Sequence, residues 1–474
     1  MGWCSTTPFG MRSHGPQETP RALHWAALLL SAGAYGFLAY ATQRAAFPQL
    51  LGLLLVVFGL YAWLLKTGLA LRTGLATALV LRLLWLPALP ALSDDYHRFR
   101  WDGLLLSHGV NPYQYRPDEL VALPAAPQPA GRPKHTQLAA ELQSLYPRLN
   151  SPHYYSVYPP VCQVLFGTAA WVSPASETGF VLLLRVCVLV AEMASAALLV
   201  ALLRHFSQPP QRALWYLLNP LVIVELTGNL HFEALVISFL LLMLWLLARG
   251  QAAAGGMALA LAVATKLLPL LVLPLLVRRL SIRQLSWFGA GLAGMLVALF
   301  VPFLSPELLQ NISRSLNLYF RNFEFNASFY YLLRAAGQWY YGYNAIARIG
   351  PTLALTVALG GLGLAATERR STWATLPRTL LLLLTLYFLL ATTVHPWYLT
   401  PLVLLSVFTQ ARYALVWSGL AVLSYAAYRT AAYSENLWLV AVEYAVVLTV
   451  LLYDARQRRL GSFAILPWRN QPGR

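Results

Sequence analysis

Gln49-Leu50-Leu51-Gly52-Leu53-Leu54-Leu55-Val56-Val57-Phe58-Gly59-Leu60-Tyr61-Ala62-Trp63-Leu64-Leu65 runs without a single charge until Lys66 closes it. As a helix it would rise about 26 Å, close to the roughly 30 Å hydrocarbon thickness of a bilayer. A membrane strand would instead alternate polar and apolar residues over about ten positions, which this run does not do. Comparable runs read near 22–41 and 69–90. After a long polar segment reaching about 156 they resume near 179–203, 212–227, 230–248, 252–277, 284–304, 346–366, 376–394, 397–410, 412–430 and 436–453. Helices satisfy their own backbone in lipid, so the pattern predicts an all-α polytopic transmembrane helical bundle of about 13–14 spans, with interfacial helices in its first large loop. One domain over 22–453 is expected, with large loops 91–156 and 305–345, a tail 1–21 and a basic tail 454–474. Pro124–Pro133 reads as a low-complexity loop.

Hydrophobic residues make up 58% of the chain and charged ones 11%, yet the formal net charge is +17. Lysine occurs only at Lys66, Lys134 and Lys266, so arginine carries the excess, much of it in short loops. That placement points to membrane topology and contact with anionic membrane lipids, and not to nucleic acid. Cys4, Cys162 and Cys187 have neither a disulfide framework nor zinc spacing. If the N-terminal tail with Arg12 and Arg21 is cytoplasmic, Lys66 is inside and the segment after residue 90 outside. Treating 157–172 as a re-entrant or juxtamembrane helix then puts Arg204, Arg212, Arg249, Arg278, Arg279, Arg283, Arg369, Arg370, Arg378, Arg412, Arg456, Arg458 and Arg459 inside, as the positive-inside rule asks. It also requires 252–277 to cross as two half-helices meeting near Lys266-Leu267-Leu268-Pro269. Both termini are then cytoplasmic in a multi-pass cell (inner) membrane protein. Ala39-Tyr40-Ala41 resembles a signal-peptide cleavage site, and cleavage there would not change the sidedness of the rest.

On this topology the polar segments converge on the outer face. The first holds Ser93-Asp94-Asp95-Tyr96-His97-Arg98-Phe99-Arg100-Trp101-Asp102-Gly103. Ser93 suits an N-cap, the aspartates suit the first turn, and Gly109 with Pro112 ends the helix. Helical spacing aligns Asp94, Arg98 and Asp102 and leaves Trp101, Leu104 and Leu105 to rest on the lipid surface. Capping charges and a solvated ion-pair ladder are the bland explanation. Paired carboxylates beside a span are costly and favour a functional one.

The other outer groups carry the same two readings. Arg185 and Glu192 share a face inside one span, as an ion pair or an anion site. Glu225 and Glu233 flank the turn bearing Asn229 and His231. Lys266 either snorkels or meets a phosphate. His395 opens the turn His395-Pro396-Trp397-Tyr398. Tyr319-Phe320-Arg321-Asn322-Phe323-Glu324-Phe325-Asn326, with Tyr330 and Tyr331, suits the interfacial aromatic belt or a pocket wall. Asn311-Ile312-Ser313 and Asn326-Ala327-Ser328 match glycosylation sequons.

Taken in order, Asp94-Asp95, Arg98, Trp101-Asp102-Gly103, Gly109-Val110-Asn111-Pro112-Tyr113, Tyr158-Pro159-Pro160, Asn219-Pro220, Gly228 to Glu233, Ala264 to Pro269, Phe325 to Ser328 and His395 to Tyr398 resemble the GT-C superfamily of integral membrane glycosyltransferases. The likeness is to bacterial polyprenyl-phosphate-mannose-dependent mannosyltransferases and, more distantly, to the glycosylphosphatidylinositol mannosyltransferases. The resemblance implies a polyprenyl-phosphate-linked sugar donor, an extracytoplasmic active site and an aspartate base in the first outer loop. Asp94 and Asp95 occupy the matching positions, with Asp-Asp where several branches have Asp-Glu or Asp-x-Asp.

Sugar transfer to a hydroxyl of a lipid or glycan acceptor passes through an oxocarbenium-like state and needs one carboxylate base opposite the leaving group, with inversion. The phosphate leaving group needs cations, a role open to Arg98, Arg185, Lys266 and His395. Asp102, His231, Glu233, Asn326 and Tyr158 are the candidate substrate-binding residues. No metal or other cofactor is expected, and the groove beside the broken 252–277 helices is the candidate site for the prenyl tail. A lipid or sugar transporter or flippase, and a polysaccharide ligase or polymerase, are the competing classes. The first should show repeated halves, and the second should lean on arginine and histidine in late loops.

Overall fold

The computed structural model describes residues 21–122, 133–430, 433–457 and 459–460. The expected N-terminal tail with Arg12, Cys4, the loop from Pro124 and most of the basic C-terminal tail lie outside them, as do the side chains of Tyr319, Phe320, Arg321 and Asn322. The described chain is helical. In order it forms α1 (Arg21–Tyr40), α2 (Phe47–Thr67), α3 (Leu71–Leu83), α4 (Asp95–Ser107), α5 (Pro117–Ala122), α6 (Pro133–Leu145), α7 (Pro160–Val172), α8 (Glu177–His205), α9 (Ala213–Leu217), α10 (Pro220–Val222) and α11 (Glu233–Ala248). There follow α12 (Ala252–Val263), α13 (Leu273–Leu276), α14 (Ile282–Phe300), α15 (Leu308–Asn322), α16 (Phe329–Tyr341), α17 (Ile346–Thr367), α18 (Leu376–Leu390), α19 (Thr400–Ser406), α20 (Tyr413–Leu420) and α21 (Leu437–Arg456).

Six of the described helices are long and apolar enough to cross a bilayer alone: Ala22–Tyr40, Phe47–Thr67, Glu177–His205, Ile282–Phe303, Ile346–Thr367 and Leu437–Arg456. The other apolar runs expected to cross are shorter or broken among the described residues. Prolines account for several breaks by removing a backbone donor and crowding the preceding turn. Pro220 follows the interruption after α9, Pro269 opens the 3-10 turn after α12, and Pro396 opens the turn between α18 and α19. The segments Pro220–Gly228 and Glu233–Ala248 meet at 111°. The first ends in a π-helical turn over Ile223–Gly228, where Arg185 donates to the Thr227 and Gly228 carbonyls, and the break follows at 229–232.

Contacts sort the loops into two ends. Gln208 bonds the Phe408 carbonyl at 3.3 Å, Arg412 N–H bonds Asp454 at 2.6 Å, and Arg279 pairs with Glu368 at 2.6 Å. His205 lies against Trp245, and Gly250 shares a cleft with Ser281 and Arg283. The arginine-rich turns therefore gather at one end. At the other, the α1–α2 turn reaches Asp94, Phe325 pairs with Thr393 in a short parallel bridge, and Glu435 bonds the Asn326 amide at 2.6 Å. The run 252–277 rises from the basic end as α12, breaks over 264–267, and returns through the 3-10 turn Leu268–Val272 and α13. Twelve residues climb only about 18 Å, so Lys266 stops well short of a full crossing.

Helix α4 corrects an expectation. It does not rest on lipid: Trp101, Leu104 and Leu105 are fully buried. Phe99 stacks on Phe166 of α7 at 4.7 Å. Gly103 allows this approach, since a Cβ there would stand 2.4 Å from the Phe166 carbonyl oxygen. Asp94 holds the N-cap position that Ser93 was expected to hold, without a capping side-chain bond, while Ser93 Oγ accepts from the Asp95 amide at 3.3 Å.

Candidate active site

The aspartate pair sits where the long first loop leaves the bundle. Asp94 is half exposed, and its Oδ2 accepts from Arg44 Nη2 at 2.6 Å. Arg44, on the α1–α2 turn, lies with its guanidinium 4.3 Å from the centre of the Tyr428 ring. Asp95 accepts instead from the neutral amide of Asn150 at 2.8 Å.

From Tyr428 a chain of rings runs inward. Phe325 is 6.2 Å from Tyr428 and 4.7 Å from His395. His395 lies flat on Trp397 at 4.4 Å, and Trp397 lies flat on His231 at 3.8 Å. His231 Nε2 approaches Glu225 Oε2 at 3.4 Å without hydrogen-bond alignment. Tyr398 stands edge-on to His395 and carries the Lys266 ammonium 4.0 Å above its ring. Lys266 in turn pairs with the buried Glu233. The tips of two helical hairpins, 228–232 and 264–267, thus meet the His395-Pro396-Trp397-Tyr398 turn below the aspartates. Burial, and then the neighbouring His231 and Lys266, push His395 well below the usual histidine range. It is a neutral ring at neutral pH and not the cation expected, and its buried Nδ1 has no hydrogen-bond partner among the described residues.

The other candidates lie apart from this line. Arg98 pairs with Asp102 at 2.9 Å and donates to the Ser151 and Tyr154 carbonyls, both at 3.0 Å. Asp102, also buried, accepts from Ser156 at 2.5 Å and Gln163 at 3.0 Å. The anticipated ladder is therefore an Arg98–Asp102 pair without Asp94. Arg185 is fully buried and spends its guanidinium on the carbonyls of Leu86, Ala88, Thr227 and Gly228. The ion pair with Glu192 does not form, because Glu192 pairs with Arg82 of α3 at 2.7 Å and accepts from Thr227. The Tyr158 carbonyl accepts from the Tyr113 hydroxyl at 2.7 Å, and its ring meets Phe99 edge-on. Asn326, in left-handed backbone at φ 46°, is buried against Glu443 at 3.2 Å. Asn311 is likewise buried, its amide donating to the Tyr113 carbonyl at 3.0 Å. Neither sequon presents its nitrogen to solvent in this fold. Among the described residues no three His, Cys, Asp or Glu side chains converge as a metal group would require.

Residues 22–281 match the family model of the alpha-(1->6)-mannopyranosyltransferases, over its N-terminal domain. The chain belongs to that family. It is a membrane glycosyltransferase of a mannosyltransferase family. None of the curated proteins compared with the chain matches it. The matched span contains the aspartate pair, both hairpin tips, Glu233 and Lys266. Two groups that spacing did not bring forward, Arg44 and Tyr428, stand beside Asp94 at this end. Arg44 had a signal: on the topology expected from charge it is an arginine in an outer turn, against the positive-inside trend. Tyr428 had none, since only folding sets it beneath Arg44.

Proposed function

We propose that this transferase moves a mannosyl unit from a polyprenyl-phosphate-linked donor to a hydroxyl of a lipid or glycan acceptor, at the extracytoplasmic face and with inversion. Asp94 is the general base. The observation carrying this reading is the Asp94–Arg44 pair at the open end of the ring stack: a half-exposed carboxylate oriented by a guanidinium. An inverting transfer needs one such base on the face opposite the leaving group. The gathering of arginine turns at the far end supports an extracytoplasmic site, because basic loops stay inside.

The donor phosphate meets Lys266. Of the four cations expected for this task, Arg98 and Arg185 are engaged on backbone carbonyls and His395 is neutral. Lys266 is a third exposed. Leu267 and Leu270 are exposed just beyond it and offer the prenyl tail an apolar path into lipid. Their positions agree with a tail groove beside the broken 252–277 segment. A transporter reading loses its main support, since Arg185 and Glu192 are buried structural groups. The test is incorporation of labelled sugar from polyprenyl-phosphate-mannose by purified protein, with the glucose and arabinose donors alongside. Asp94→Asn is expected to lower turnover by about 10²–10⁴-fold, and Asp95→Asn by less. Equal turnover in wild type and Asp94→Asn would remove Asp94 as the base.

A further inference from the structure

At the basic end of the bundle, far from the aspartates, a cleft of about 690 Å³ opens between the first turns of α12 and α14. Gly250, Gln251 and the start of α12 form one wall, and Arg283, Gln284 and Trp287 form the other. Further along, the two helices close on each other. A Cβ on Gly256 would stand 2.1 Å from the Phe288 carbonyl oxygen, and one on Gly291 would stand 2.1 Å from that of Ala253. The cleft is thus a wedge whose closed end is backbone against backbone.

Charge in the wedge is one-sided. Arg279 pairs with Glu368, and Arg278 donates to the carbonyls of Ala365 and Ala366, so both are engaged elsewhere. Arg283 is exposed and makes no ion pair among the described residues. Gln284 spends its carbonyl oxygen on the Ser281 amide and hydroxyl, both at 3.1 Å, which leaves its amide nitrogen as a donor. No carboxylate is among the described residues lining the wedge. Such a site suits a phosphate oxygen and has nothing to offer a ligand ammonium.

Helix α14 decides where the phosphate comes from. It is long and apolar enough to cross a bilayer, yet Phe288 is its one buried residue. Arg283, Trp287, Ala290, Gly294 and Val297 recur at helical spacing and none is buried. One face therefore runs from a cation, past an interfacial tryptophan, along small side chains into lipid. A soluble anion would use only the first of these, whereas a phospholipid uses all three.

We propose that this wedge binds an anionic phospholipid of the leaflet at the basic end, with its phosphate on Arg283 and the Gln284 amide and an acyl chain along the Trp287–Val297 face. The lipid is a bound component and not a substrate, so the inference stands apart from the transfer chemistry.

Native mass spectrometry of the full chain released from detergent tests this, with phosphatidylglycerol and phosphatidylcholine of matched chains offered in equal amounts. Wild type is expected to retain phosphatidylglycerol about tenfold more than phosphatidylcholine. Arg283→Glu should erase that preference, whereas Arg456→Glu, at another exposed arginine of the basic end, should keep it. Gln251→Trp changes no charge and should fill the wedge from the opposite wall, lowering retention to the same extent; it decides the matter if charge reversal at 283 disturbs folding. Inorganic phosphate should release no lipid. Equal retention of the two lipids by wild type, an equal loss in Arg456→Glu, no loss in Gln251→Trp, or release by inorganic phosphate would each overturn the inference, the last by making the ligand a soluble anion. All of these readouts are independent of sugar transfer.

Discussion

Asp94 and Asp95 are neighbours with different surroundings, and the difference lies in their partners. A guanidinium pins one carboxylate and a neutral amide touches the other. His395 shows the same dependence on surroundings. Its folded-state value is depressed, so in the range below the ordinary value of about 6.5 the unfolded chain binds a proton that the folded chain refuses. Stability contributed by neutral His395 is thus complete above about pH 6.5 and declines by up to about 1.4 kcal/mol per pH unit as pH falls below it, until the folded ring titrates. Thermal unfolding between pH 8 and pH 5 should show this decline, and His395→Asn should flatten it. An identical slope in the variant would mean that other groups carry the acid sensitivity.

At the scale of elements, the α4–α7 contact and the two hairpin tips organise the site. Gly103→Ala pushes a methyl into the Phe166 carbonyl. Separating the helices should cost about 1–3 kcal/mol, read as a lower unfolding temperature in detergent. A wild-type unfolding temperature would show that the helices yield freely there. The Glu233–Lys266 pair joins the tips, with Glu233 buried and Lys266 a third exposed. Lys266→Met alone strands a buried carboxylate and should lower both stability and transfer. The double variant Glu233→Gln with Lys266→Met should recover much of the stability and none of the transfer. Recovery of both would reduce Lys266 to a structural partner of Glu233.

At the scale of the molecule, the prediction is sidedness. With Cys4, Cys162 and Cys187 replaced, a cysteine at Ser151 should react with a membrane-impermeant maleimide on intact cells. One at Ser281 should react only after permeabilisation. The reverse pattern would put the aspartates in the cytoplasm and end the proposed donor assignment. Both serines lie in described turns at opposite ends of the bundle. Ser151 is held by Arg98 near α4, and Ser281 starts α14 with a capping box.

Fold class and the break at Lys266 were both legible in one dimension. Each follows from a local rule: apolar length sets a span, and proline interrupts a helix. Asp94-Asp95 stood out because paired carboxylates beside an apolar run are expensive wherever they lie. The partners were not legible. Arg98 and Asp102 found each other at helical spacing, but Arg185 and Glu192, also correctly spaced, were drawn to different neighbours once α3 and the 227–228 turn packed against α8. Arg44 reaches Asp94 across fifty residues, and Tyr428 reaches Arg44 across far more. Hydropathy and charge act through the solvent each residue meets, so the sequence alone determines which segments enter the membrane. A buried ion pair or ring stack depends on which surfaces the folded bundle brings within a few ångströms, and only the tertiary structure decides that.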